Sequence, residues 1–361
     1  MKIEQLDRCR LPALIEFFRE VGASITSENI DQFCLPRAAE SGPRVGTLVL
    51  AEGDRILGSI GYLDIPLRAS GAAAESGDMV REEISRWPIN QFLLPEWRGR
   101  GLGQRLMDAA GEGAPCMLVI GGTKASTPSR SNSGWRLIGQ LECWRFRAPV
   151  LSVISAGKLK DRTNLAGRRL PPATVCLRVG WHTVVAQRSA PISGWLPWVA
   201  PDPPPRRVEI GAPRDADYLR FAFCGALSEY HALHTVSVDG AAAGFFVLAA
   251  RAERPPFLSI EIVDLDAAPG READVIEAAR ATGFTRGDIV RLRVCGDRFT
   301  QALRTLRGHV RRGPDHAFRV LTRPGSLVTG EMAAAISSWR LTYGDHDQYR
   351  VRTTSRKWTA S

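Results

Sequence analysis

Asn90-Gln-Phe-Leu-Leu-Pro-Glu-Trp-Arg-Gly-Arg-Gly-Leu-Gly-Gln-Arg-Leu-Met107 decides how the rest of this chain is read. The stretch from Ile89 to Leu94 has the length of a strand and stops at a proline. Glycines 99, 101 and 103 then alternate with Arg98 and Arg100, and Leu102, Leu106, Met107 and Ala110 fall on one side of a helix beginning near Gly101. A strand leading through a basic, glycine-rich turn into a helix is an anion cradle. Glycine lets the backbone approach closely and turn its N–H groups inward, and the helix N-terminus adds partial positive charge. A pyrophosphate fits such a cradle. A dinucleotide fingerprint fits less well, because Leu106 stands where its third glycine belongs, and a Walker loop fails for want of Gly-Lys-Ser or Gly-Lys-Thr.

Working outward, Leu11 to Val21 has proline in its first turn and helical apolar spacing. Leu48 to Ala51 and Ile56 to Leu63 flank Gly53 as a hairpin, a polar loop spans Arg68 to Gly77, and Cys116 to Ile120 forms a further strand. Helix, hairpin, strand, helix, strand is the order of an α/β domain built on a mixed sheet, assigned to residues 1–148. Residues 149–206 are rich in proline, ending in Pro201-Asp-Pro-Pro-Pro205, and read as an interdomain connector. Its apolar residues Trp181, Trp195, Leu196, Trp198 and Val199 are expected to pack on one of the domains; the alternative is a surface patch for a partner.

The order then repeats over residues 207–361. A helix is expected over Asp215 to Leu227, a hairpin around Asp239-Gly240, strands over Phe257 to Asp264 and Ile289 to Val294, and helices over Glu272 to Thr282 and Phe299 to Leu306. A duplicated fold follows, in two tandem copies. The second copy is degenerate, because Asp264-Leu-Asp-Ala-Ala-Pro-Gly-Arg271 stands where the first has its basic glycine turn, and acidic residues there repel a pyrophosphate.

Bulk properties agree with two folded domains. The chain has 361 residues, of which 44% are hydrophobic and 24% charged. Its formal charge of +10 admits nucleic acid, an anionic surface or a polyanionic small molecule as partner. No zinc finger or ribonucleoprotein-type aromatic motif supports nucleic acid, which is therefore not expected. The seven cysteines include no CxxC pair and several lie in apolar runs, so reduced thiols, a cytoplasmic location and no metal are expected. Neither a secretory leader nor a membrane span is expected.

Arg98-x-x-Gly101-x-Gly103, preceded by Leu93 to Trp97, resembles the acyl-CoA loop of Gcn5-related N-acetyltransferases, whose pattern is Arg or Gln, two residues, Gly, one residue, then Gly or Ala. The Gly53 hairpin, the strand after the helix and Ser133-Gly-Trp-Arg-Leu-Ile-Gly139 also match, so the resemblance covers residues 1–148. It implies that Leu93 and Leu94 offer backbone groups to the pantetheine arm. It also implies that the amides of Arg98, Gly99, Arg100, Gly101, Leu102, Gly103 and Gln104 hold the pyrophosphate of acetyl-CoA or another acyl-CoA. A backbone N–H at the splayed strand end would stabilise charge on the thioester oxygen, and a small-molecule amine would attack directly.

The family's usual tyrosine acid is missing, with Arg130 in its place, and the base is unassigned: Glu82, Glu83 and Asp64 are candidates that spacing does not separate. Near the end, Trp339-Arg-Leu-Thr-Tyr-Gly-Asp-His-Asp347 offers Asp345, His346 and Asp347 as a base or metal site, or as a turn. That segment resembles tandem acetyltransferase-like proteins of bacterial polysaccharide clusters, which implies an amino-sugar or glycan-precursor acceptor. The rival expectation is a catalytically inactive protein of the same fold that binds acyl-CoA or nucleic acid as a regulator.

Overall fold

The computed structural model describes residues 1–23, 30, 34, 44–70, 81–121, 133–147, 173–188, 209–212, 214–223, 230–252, 258–285, 289–306, 310–324, 326, 328, 339 and 341–342. In the first half, β1 (Lys2–Gln5), α1 (Leu11–Glu20), β2 (Arg44–Glu52), β3 (Arg55–Ser70) and β4 (Arg81–Leu93) lead to a 3₁₀ turn at Pro95–Trp97. Next come α2 (Leu102–Ala110), β5 (Cys116–Ile120) and β6 (Arg136–Arg147). A hairpin of β7 (Thr174–Val179) and β8 (His182–Arg188) precedes β9 (Glu209–Gly211), α3 (Ala216–Phe223), β10 (His231–Val238), β11 (Ala241–Ala252) and β12 (Leu258–Ala267). The chain continues through α4 (Glu272–Phe284), β13 (Ile289–Cys295), α5 (Asp297–Thr305), β14 (Val310–Thr322) and β15 (Leu341–Thr342).

This is a mixed α/β architecture in two copies. The hairpin β2–β3 with β4, α2 and β5 has its counterpart in β10–β11 with β12, α4 and β13, and in both copies the last two strands named are parallel. Both hairpins turn on left-handed residues, Gly53 in the first (φ 60°) and Asp239-Gly240 in the second (φ 50° and 84°), which glycine and the short polar Asp tolerate.

The copies exchange strands. Among the described residues the sheet runs β1-β2-β3-β4-β5-β14-β6-β13-β12-β11-β10-β8-β7. Strand β14, from the second half, lies between β5 and β6 of the first, while β6 pairs with β13 of the second. Each copy therefore completes its sheet with a strand of the other.

Burial follows the same division. Leu14 and Phe17 of α1 and Leu106 and Met107 of α2 pack on the first half, and Val275 of α4 and Phe299 of α5 on the second. A third cluster joins the two: Leu63, Ile65 and Trp87 lie in one core with Leu219 of α3, Phe245, Val247 and Trp339. Trp339, the first residue of the conspicuous late segment, is fully buried and meets Phe318 edge-on at 4.8 Å. Asp345, His346 and Asp347 lie outside the described residues.

Three expectations change. The loop placed at 68–77 begins later, because β3 continues to Ser70 and its end pairs with β9. The connector at 149–206 holds a hairpin: β8 pairs with β10, extending the second half's sheet, and Val175, Leu177 and Val179 pack partly on the α4 side. Their spacing of two, between prolines, was read as linker composition. Trp181 does not pack on either half but stands 95% exposed at that hairpin's tip; Trp195, Leu196, Trp198 and Val199 lie outside the described residues. Of the cysteines, Cys34, Cys116, Cys143 and Cys295 are buried and free, whereas Cys9 and Cys176 are exposed.

One buried ion pair fixes the joint. Arg214, 1% exposed, sets its Nε 3.1 and 3.0 Å from the two carboxylate oxygens of Asp264, itself fully buried. Its Nη1 donates to Ala212 O at 3.1 Å, and the guanidinium stacks 4.8 Å from the Tyr218 ring. Arg214→Ala strands the Asp264 charge in the core and should cost about 3–5 kcal/mol. Urea denaturation followed by tryptophan fluorescence measures this; a loss below about 1 kcal/mol would show the pair to be dispensable.

Candidate functional site

The parallel pair β4–β5 is bridged only at Ser85–Cys116 and Arg86–Met117. Strand β4 runs on to Leu93 and β5 to Ile120, but no further bridge joins them, so the facing edge of β4 is open from Trp87 onward. A bulge lies in this open stretch. Ile89 pairs with Gly61 and Phe92 with Ser59, leaving an extra residue on β4 where Asn90 takes a left-handed conformation (φ 48°). Bulges bend a strand and re-aim its groups. Here the inserted residue sends Gln91 and Leu93 to the α2 side, where Gln91 Nε2 donates to Gly103 O, while Phe92 packs edge-on against Phe18 of α1 at 5.9 Å.

The basic turn follows. Its two left-handed glycines, Gly99 (φ 75°) and Gly101 (φ 73°), are positions where a side chain is strained, and a Cβ added to either would meet nothing within 4 Å. The turn therefore opens onto free space. Gly103 is a glycine for packing instead: a Cβ there would press at 3.4 Å on both Gln91 and Leu93. Among the described residues the amides of Gly99, Arg100, Gly101, Leu102 and Gly103 have no acceptor within the protein. Gly101 caps α2 without any side-chain hydrogen bond, so the helix N-terminus is unsatisfied as well. Arg100 lies over the Trp97 ring at 4.8 Å, placing a cation at the rim.

The cradle is narrower than the expected set. Leu94 N donates to Leu57 O at 3.0 Å and Arg98 N to Pro95 O at 3.2 Å, so both amides are committed to the fold. Leu93 O accepts from Arg98 Nε at 3.1 Å. Gln104 uses its side chain internally, donating to Asp108 at 2.6 Å and accepting from Ser133 Oγ at 2.7 Å. The reasons are two: Leu94 still pairs with β3, and the 3₁₀ turn after Pro95 uses the Arg98 amide itself. What is left is the contiguous run from Gly99 to Gly103.

The second copy keeps the bulge and changes the chemistry around it. Leu248 pairs with Ile262 and Val247 with Asp264, so β12 bulges at Val263 as β4 does at Asn90. Beyond it, Asp264 accepts from Leu265 N and Asp266 from Ala267 N, both at 2.9 Å. Arg298 of α5 reaches into the same corner, bonding Glu272 at 2.7 Å, Asp266 at 3.5 Å and Ala267 O. Where the first copy leads into its helix through a basic turn, the second therefore sets carboxylates at the end of its strand and in the first turn of α4.

The carboxylates considered as bases stand elsewhere. Asp64 is gripped by Arg86 at 2.6 and 2.8 Å, and Arg86 also donates to Ala110 O and Glu112 O at the end of α2. Glu82 pairs with Arg68 at 2.6 Å. Glu83 accepts from Ser326 Oγ at 2.8 Å and acts on the Cys116 thiol. Glu83 precedes the Asn90 bulge by seven residues, roughly 23 Å at about 3.3 Å per strand residue. Asp64, level with Arg86, is roughly 13 Å away on the same count. None of the three lies at the bulge, and Arg130 lies outside the described residues. Among the described residues no group of three or more His, Cys, Asp or Glu is placed to hold a metal, and no helix is long and apolar enough to cross a membrane.

Two features of this corner escaped the sequence. Asn90 gives little signal beyond the tolerance of asparagine for left-handed backbone. The hydroxyls of Thr47 and Ser59, 2% and 1% exposed, have no hydrogen-bond partner and lie on adjacent strands beside the bulge; as isolated polar residues in apolar strands they carry no motif.

No protein-family model matches the sequence, and no curated protein matches it either. Solved structures do share the fold. A Gcn5-related N-acetyltransferase from Anabaena variabilis superimposes with a TM-score of 0.53 at 10% identity, covering 88% of this chain and 72% of its own. One from Kribbella flavida gives 0.51 at 12% identity, covering 89% and 71%. The chain thus has the fold of these acetyltransferases along most of its length.

Cys116 provides a check on the packing beneath the site. Burial first, then the Glu83 charge and its hydrogen bond, push this thiol far above the ordinary cysteine range. At pH 8 the folded protein should therefore be labelled by iodoacetamide at the exposed Cys9 and Cys176 but not at Cys116, as read by peptide mass spectrometry. Rapid labelling of Cys116 would show that the β4–β5 core is open to solvent.

Proposed function

We propose that this protein is an acyl-CoA-dependent N-acyltransferase, with acetyl-CoA or another acyl-CoA as its donor and the first copy as its donor site. The observation that carries this reading is the run of unsatisfied amides from Gly99 to Gly103 at the mouth of α2, beside a strand edge left open by β5. An anion answers both needs of that turn, acceptors for its N–H groups and negative charge for the helix end. The open edge of β4 can take an extended, amide-containing arm by backbone pairing, as a sheet edge takes an added strand. Such a diphosphate-and-pantetheine carrier brings an activated thioester to the bulge.

The chain's own part is positioning and polarisation. The amides of the turn anchor the diphosphate, Arg100 held over Trp97 adds charge at the rim, and the bulge aims a backbone N–H of β4 toward the acyl oxygen, where it stabilises developing negative charge. The acceptor is a small-molecule amine, and the resemblance of the late segment favours an amino sugar or glycan precursor. Its approach is from the α1 side of the sheet, where Thr47 and Ser59 lie. The second copy binds no donor, because Asp264, Asp266 and Glu272 put carboxylates where a diphosphate would have to sit, and it serves to complete the sheet of the first.

Gly101→Glu tests the donor site. A side chain at a left-handed position costs about 1–2 kcal/mol, which a two-copy fold of this size tolerates, while a carboxylate enters the cradle and displaces charge-assisted hydrogen bonds of about 1.5–3 kcal/mol each. Coenzyme A affinity by calorimetry should fall by about 100-fold or more with circular dichroism unchanged. Retained affinity would remove the donor site from this turn. Thiol release from acetyl-CoA across an amine panel reports turnover; binding without release from any amine would favour the non-catalytic, acyl-CoA-binding alternative.

A further inference from the structure

Strand β14 alternates cleanly where it crosses between the halves. Phe318 and Val320 point into the shared inner core and are at most 2% exposed. Arg319 stands between them on the opposite face and is itself only 8% exposed. The other buried arginine among the described residues is matched: Arg214 has Asp264 and Ala212 O; the part-buried Arg298 likewise has Glu272 and Asp266. Among the described residues the Arg319 side chain has no hydrogen bond, ion pair or ring contact. Its nitrogens are also absent from the fully enclosed polar atoms that lack partners, so a ligand can reach them.

A guanidinium is always charged, and burying one without an acceptor is among the costliest arrangements a fold can hold. Such a group persists where a ligand completes it. The position is informative. Arg319 pairs across the sheet with Val119 of β5 and Leu137 of β6. Val119 lies two residues beyond Met117, the last residue of β5 bridged to β4, and so belongs to the splayed stretch. Val119 packs in the α2 core together with Trp135 and, partly, Leu321, which puts Arg319 on the cradle's side of the sheet. Leu137, its β6 partner, is 60% exposed, an apolar surface beside the charge. Two strand spacings across and two residues along set a minimum of about 12 Å between the Arg319 backbone and the Asn90 bulge, more as β4 and β5 part.

We propose that Arg319 is an anion anchor of the substrate site: it binds an oxyanion, carboxylate or phosphate, carried by a molecule that occupies the opening between β4 and β5. The inference rests on that opening being the donor site. The anion has two sources there, a carboxylate on the acyl group being transferred or a phosphate of its carrier. A carboxylate there makes the enzyme selective for dicarboxylic acyl groups over acetyl, with guanidinium and carboxylate pairing through two parallel hydrogen bonds and Leu137 and Val119 flanking the acyl methylenes.

The test uses the full chain as wild type, Arg319→Gln, Arg319→Lys and Gly101→Glu. Calorimetry with coenzyme A, acetyl-CoA and succinyl-CoA separates the sources: a tenfold or greater loss in Arg319→Gln confined to succinyl-CoA identifies the acyl carboxylate, and an equal loss for all three identifies a carrier phosphate. Arg319→Lys should restore part of either loss. Thermal denaturation supplies a readout independent of the carrier. Without ligand, Arg319→Gln should melt higher than wild type, by about 2 °C or more, because an unpaired buried charge is gone. Millimolar succinate should stabilise wild type and Gly101→Glu but not Arg319→Gln. If wild type binds no coenzyme A species yet shows the Arg319-dependent anion response, the donor-site reading falls and the anion anchor stands. If Arg319→Gln binds all ligands as wild type does, or melts lower in their absence, Arg319 is structural and the proposal is overturned.

Discussion

Everything in the candidate site depends on two parallel strands that stop pairing too soon. A parallel ladder is ordinarily buried and continuous, and its backbone groups are strongly driven to find partners. Here β4 and β5 are bridged at two residue pairs and then part. The bulge at Asn90 lies in the unpaired length and the glycine turn follows it directly, so an open strand edge, a re-aimed amide and an uncapped helix come together within some fifteen residues. Each alone is common. Together they form a line of donors long enough for an extended, negatively charged molecule.

The two copies show the same frame with opposite contents. Both have a central strand bulged near its end and a helix beginning after a left-handed glycine, Gly101 in one and Gly270 in the other. In the first copy the donors face space; in the second, carboxylates two residues apart fold back onto the amides that follow them and an arginine from α5 closes the corner. Much of the difference is one of charge, carried by a few side chains at corresponding places of the fold.

Much of this was legible in the sequence because it is local. Alternation located β5 to the residue and the cores of β2, β3, β10, β11 and β12, and the glycine turn announced both a helix start and an anion site. The acidic stretch after β12 carried its own message of repulsion. What was not legible depends on distance along the chain. Nothing in Val310 to Thr322 says that this strand crosses into the other half. The β7–β8 hairpin was hidden by the prolines around it, since composition was read over a window wider than the hairpin. Arg319 looks like one more arginine in an arginine-rich protein until its neighbours are known. The commitment of Leu94 N likewise depends on a carbonyl, Leu57 O, that lies far upstream.

The exchange of β14 and β6 bears on how this chain can change over time. A gene encoding two independent modules can lose the idle one, and the survivor still folds. Here, deletion of everything after residue 206 would remove the strand that separates β5 from β6, leaving both with bare edges, a standing invitation to aggregation. The second half is therefore bound to the first by geometry. Its sequence is least free to drift along the strands that it lends, β14 and β9.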